Sequence, residues 1–135
     1  MLPNWKFANN SQPNSIDRIW VGWNPDKVNL TICKCSTQLI YTIVTSVDNA
    51  LTFEASFVYG SNNIQDRKSL WTELTYISAS IGNTPWITLG DFNVVLSPFE
   101  VFGGSSGRDD GDVDFTNLIY SICLEDLKYT SFYFT

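Results

Sequence analysis

The sequence predicts an α/β sandwich, built as one domain from 135 residues. Three patterns carry that expectation. Several β-branched and aromatic segments lie between turn signals, as strands do. Two segments repeat apolar residues at three- and four-residue spacing, as amphipathic helices do. One short apolar run, Trp86 to Leu89, does not alternate, which suits a buried central strand.

Residues 1–15 are polar and rich in Asn, Ser and Pro, so they read as a loose lead-in to a domain spanning 16–135. Arg18 to Trp23 reads as a strand, Asn24-Pro25-Asp26 as a turn, and Val28 to Cys33 as the strand that closes a hairpin with the first. Gln38 to Val47 is the next strand. In Leu51 to Tyr59, Leu51, Phe53, Ala55, Phe57 and Tyr59 share one face, and Thr52, Glu54 and Ser56 share the other. That period of two predicts a strand with its apolar face buried. Leu70, Leu74, Ile77 and Ile81 form a helical stripe, with Asn63 as N-cap, Asp66 in the first turn and Gly82-Asn83 as the stop. Residues 97–111 hold Pro98, Gly103, Gly104, Gly107 and Gly111 and read as a long loop. Asp112 is placed to cap a second helix striped by Phe115, Leu118, Ile119 and Ile122, and Phe132 to Phe134 begins another strand.

Composition excludes some chemistry. The chain has no His, which closes every mechanism that needs an imidazole base or ligand. Cys33, Cys35 and Cys123 lack CxxC spacing and are too few for a four-ligand zinc site, so they read as buried thiols. The net charge of -6 repels a phosphate backbone, and no Lys/Arg cluster offsets it. The first residues show neither a basic region nor an apolar run, so an intracellular location, nuclear or cytoplasmic, is expected, with no membrane span. Gly103 to Gly107 lacks the Gly-Lys-Ser/Thr of a P-loop. Asp109, Asp110, Asp112 and Asp114 lack calcium-loop spacing, and the tryptophans Trp20, Trp23, Trp71 and Trp86 read as core.

The strongest local feature is Gly90-Asp91-Phe92-Asn93, directly after the apolar run. In extended chain Asp91 and Asn93 point one way and Phe92 the other, into the core. An ionised Asp91 accepts only, so it can orient a water and take its proton. Asn93 offers two N–H donors without negative charge, which suits a phosphate oxygen. The same four residues also fit a plain Asx-turn.

The order of motifs then matters: Arg-Ile-Trp-Val-Gly-Trp-Asn-Pro from Arg18, Val58-Tyr59-Gly60-Ser61-Asn62, Ser69-Leu70-Trp71, Pro85 through Asn93, Gly103-Gly104, Asp114-Phe115 and Leu124-Glu125-Asp126-Leu127. This order resembles the endonuclease/exonuclease/phosphatase superfamily, and within it the plant-type LINE (non-LTR retrotransposon) endonuclease domain, over Arg18 to Thr135. The resemblance implies a four-layer sandwich, two mixed β-sheets flanked by helices, and Mg²⁺-dependent hydrolysis of DNA. It implies that Asp91 aligns and deprotonates the attacking water and that Asn93 contacts the scissile phosphate. Tyr59 would reach a phosphate oxygen through its hydroxyl, and Asn62 would bind substrate just beyond it; without the resemblance these two read as a core ring and a turn residue. The family's metal-holding Glu and its terminal Asp–His pair have no match here. The fold is therefore expected to be incomplete at both ends and the isolated chain catalytically incomplete, with weak Mg²⁺ affinity. A non-enzymatic remnant or interaction domain of the same fold is the alternative, and a phosphatase of lipids or small phosphates shares the same hydrolytic residues.

Overall fold

The computed structural model describes residues 4–13, 16–94 and 110–127, with backbone alone for 110–112. Of the expected loop over 97–111, residues 97–109 lie outside the described residues and 110–111 are helical instead; the strand from Phe132 also lies outside the described residues.

The described chain is mixed α/β: two sheets, of two and four strands, and two helices. Strands β1 (Lys6–Asn9) and β2 (Trp20–Trp23) pair antiparallel in the small sheet. The large sheet runs β3 (Val28–Cys35), β4 (Leu39–Ser46), β5 (Thr52–Tyr59) and β6 (Trp86–Asp91) in that spatial order. Its first three strands are antiparallel neighbours, and β6 joins β5 in parallel. That parallel step needs a crossover, which helix α1 (Ile64–Ser80) supplies. Helix α2 (Asp110–Ser121) packs beside α1.

Each face of the large sheet carries a core. Leu39 and Val58 meet Leu70, Trp71, Leu74 and Ile77 of α1 and Leu118 of α2 on one side. Ile40 meets Ile19 and Val21 of the small-sheet segment on the other, with Phe57 and Tyr59 packed against them. Among the described residues the layers are therefore helix, four-stranded sheet and two-stranded sheet.

The expected N-cap forms: the Asn63 side chain accepts from the backbone N–H groups of Gln65 and Asp66. Gly82 adopts φ +61 just past the end of α1, the left-handed turn only glycine takes freely.

Several expectations are corrected. The lead-in carries strand β1, because Asn10 behind it is 1% exposed and ties that segment to the rest. The hairpin over Arg18–Cys33 does not form: β2 and β3 lie in different sheets, and the Asn24 turn is the corner between them. There Asn24 Oδ1 accepts from Asp26 N at 2.9 Å. In β5 the polar face is the more buried one. Ser56 accepts from Trp86 Nε1 at 2.9 Å and Glu54 takes the Tyr41 hydroxyl, so both polar groups tolerate burial under α1. Strand β6 is not central among the described residues; it ends the sheet, and Leu89 is 40% exposed. Finally, Asp112 lies inside α2 rather than capping it, Trp20 is 64% exposed rather than core, and the cysteines are not buried thiols, since Cys33 and Cys123 are exposed and Cys35 is half-buried.

Candidate functional site

The parallel register of β5 and β6 sets Tyr59 opposite Asp91. Register partners in parallel strands share a face, so both side chains sit at the C-terminal edge of the sheet on the side away from α1. That edge is where α/β sheets gather ligands. The ladder continues one step further, with Gly60 N donating to Asp91 O at 2.7 Å.

Two glycines allow the strands to close this tightly. A Cβ on Gly90, which sits at φ +130, would collide with the Val58 carbonyl. A Cβ on Gly60 would collide with the Phe92 carbonyl. Glycine is thus required by close approach as well as by dihedral angle at Gly90.

Asp91 and Asn93 do not lie along one extended chain. Asn93 adopts φ +60, a region that asparagine tolerates better than most residues, and Asn93 N donates to Asp91 Oδ1 at 2.7 Å. The Asx-turn expected as the plain reading is therefore present, and it is this turn, rather than strand alternation, that holds the two side chains together. Phe92 behaves as expected. Its ring stacks 6.3 Å from Trp71 and lies tilted 5.0 Å from Phe115, anchoring the turn to both helices.

Asn93 then reaches across to the β5 loop. Its Nδ2 donates to Gly60 O at 3.0 Å and to Asn62 Oδ1 at 2.6 Å. All four sequence-derived residues, Asp91, Asn93, Tyr59 and Asn62, are thereby gathered at adjacent strand ends. Both amide hydrogens of Asn93 are engaged by protein acceptors. Asp91 is engaged through Oδ1 alone among the described residues, which leaves Oδ2 open.

Sequence reasoning missed two residues that hold the site in place. Arg67, 4% exposed, donates through Nη1 to Ser61 O at 2.9 Å, Asn62 O at 3.4 Å and Asn93 O at 3.1 Å. One buried guanidinium thus ties both loops, and its charge faces carbonyl dipoles rather than a carboxylate. Gln38 accepts from Ser61 N at 2.7 Å and donates to Asp66 O at 2.8 Å, joining the loop to the first turn of α1. A signal for Arg67 existed: it lies three residues before Leu70 and so falls on the apolar stripe, where a charge is out of place. Gln38 gives no comparable signal.

A Mg²⁺ ion is held by oxygen ligands in near-octahedral geometry, usually with one or two carboxylates. Asp91 is the carboxylate of this cluster, beside neutral amides, and no group of three or more His, Cys, Asp or Glu side chains suited to a metal occurs among the described residues. The donor set does not by itself fit a protein-held Mg²⁺. Among the described residues no helix is long and apolar enough to cross a membrane.

No protein-family model matches the chain, and no curated protein matches it. What fold and site define on their own is an α/β domain with a carboxylate, two amides and a phenol gathered at the ends of parallel strands.

Proposed function

We propose that this chain is a phosphodiesterase domain of the endonuclease/exonuclease/phosphatase type, related to LINE retrotransposon endonucleases, and that its substrate is DNA. The observation that supports this is the meeting of Asp91, Asn93, Asn62 and Tyr59 at the ends of β5 and β6. In this reading the described layers belong to a four-layer sandwich. Asp91 Oδ2 accepts a proton from an attacking water that it also orients. The Tyr59 hydroxyl, which has no hydrogen-bond partner among the described residues, donates to a phosphate oxygen. Asn93 Nδ2 exchanges its Asn62 acceptor for another phosphate oxygen and stabilises charge that develops there. Mg²⁺ is the cofactor expected of this class, and it would supply further charge neutralisation when bound with substrate.

The test is nicking of supercoiled plasmid in Mg²⁺ by the chain joined to segments that supply the family's metal-holding Glu and Asp–His pair, because the chain alone is expected to be catalytically incomplete. Asp91→Ala and Asn93→Ala are expected to lower the rate by about 100-fold or more. Nicking that survives both substitutions refutes the assigned roles. A reverse-transcriptase reading frame beside the coding sequence would support the retroelement origin.

A second reading is a non-enzymatic remnant or interaction domain of the same fold. It is favoured by the same hydrogen bonds, since Asn93 already has acceptors for both amide hydrogens and Asp91 caps its own turn. That reading expects no plasmid nicking even when the missing segments are supplied, and no change in Tm when Mg²⁺ and DNA are added together.

A further inference from the structure

We propose that Arg18 is a substrate-binding residue of this site, whose guanidinium holds a phosphate oxygen of a nucleic-acid strand beside Tyr59. The proposal rests on the phosphodiester reading above. The Arg18 guanidinium carbon lies 5.4 Å from the centroid of the Tyr59 ring. The side chain leaves from a fixed point, because Arg18 N donates to Asn10 Oδ1 at 3.0 Å and the next residue, Ile19, is buried. It lands on a fixed ring, because Tyr59 packs in the core under the small sheet. Tyr59 is in turn the register partner of Asp91.

Arg18 is exposed, and among the described residues no carboxylate pairs with it. A guanidinium held over a ring still carries N–H donors, and their fork matches two phosphate oxygens. The other arginine at the site, Arg67, is buried and turned to carbonyls. The site therefore has a need that Arg18 meets. The chain carries 14 acidic residues against 8 basic ones, and Asp91 adds a negative charge where a phosphate must approach. A cation placed there offsets that repulsion locally.

The test is fluorescence anisotropy of a labelled DNA duplex without divalent metal, over a salt series, for wild type, Arg18→Lys and Arg18→Ala. Removing one phosphate contact is expected to lower the slope of log K against log salt by about 0.9 and to weaken binding at low salt by about tenfold. Arg18→Lys keeps the charge, so its slope stays at the wild-type value while its affinity falls between the other two. A purely structural Arg18, covering the ring and nothing more, would change Tm and leave the slope alone. If wild type binds DNA and Arg18→Ala matches it in slope and affinity, Arg18 is not a ligand and the phosphodiester reading is untouched. If wild type shows no salt-dependent DNA binding, both fall. Displacement of the duplex by an equal concentration of inorganic phosphate would make Arg18 part of a small-phosphate site and overturn the strand as its ligand.

Discussion

Asn10 commits its whole amide to backbone from two separate places. Its Oδ1 accepts from Arg18 N and Ile19 N at 3.0 and 2.9 Å, and its Nδ2 donates to Ser36 O and Thr37 O at 3.1 and 2.9 Å. The small-sheet segment is thereby pinned to the β3–β4 turn. Truncation leaves several buried polar groups without partners, each costing about 1–3 kcal/mol. Asn10→Ala is therefore expected to lower stability by about 3 kcal/mol, read as a lower urea midpoint at unchanged m-value. Asn10→Asp keeps the acceptor and loses both donors, so it too destabilises; a wild-type midpoint for either variant would refute the account. Nothing local in the sequence marks this residue. Its donors' partners lie 26 and 27 positions away, and an Asn in a polar stretch looks like loop. Asp91 and Asn93 were legible because their chemistry is compressed into four residues. Their actual geometry was not, since a strand alternation argument cannot see a residue at φ +60.

At the scale of elements, β5 shows what periodicity can and cannot reveal. Alternation located the strand, but the assignment of the polar face to the less buried side failed, because helix α1 covers it. Burial of Glu54, 6% exposed, pushes its carboxyl above its ordinary value, since desolvation disfavours the charged form. A carboxyl raised in the folded state favours folding while it is protonated. That contribution is full below the ordinary glutamate value and is lost as pH rises through the raised one. The wild type should therefore lose Tm relative to Glu54→Gln as pH rises above the ordinary glutamate value of about 4.3, with the difference growing as the raised carboxyl ionises. The glutamine still accepts from the Tyr41 hydroxyl, so the comparison isolates the charge. Parallel Tm profiles for the two proteins would show that Glu54 ionisation does not oppose folding. Helix α1 was read more fully than any strand, because a cap, a stripe and a stop are all local signals. Strand β6 was legible as a strand and misjudged as central, because an unalternated apolar run records cover on both faces and says nothing of which strands flank it.

Across the whole molecule, the large sheet is shared between two cores that never touch. Val21 lies 5% exposed in the core under the small sheet, while Phe92 packs against Trp71 and Phe115 on the helix side. The class of fold was legible from segment types, but the partition into sheets was not, because a turn signal does not say whether the chain doubles back or crosses to another layer. That partition has an energetic consequence. Both cores hang on β4 and β5, so losing either exposes strands the other needs, and unfolding should be a single transition. Val21→Ala is expected to cost about 2 kcal/mol and Phe92→Ala about 3 kcal/mol. Because the two side chains share no partner, their costs should add within about 0.5 kcal/mol in the double variant. Tryptophan fluorescence and far-UV circular dichroism should give one coincident denaturation curve for each variant. Two separated transitions, or strong coupling between the substitutions, would mean that the layers fold independently. The site has a stake in the answer: Tyr59 belongs to one core and Phe92 to the other, so the cluster around Asp91 is assembled only while both stand.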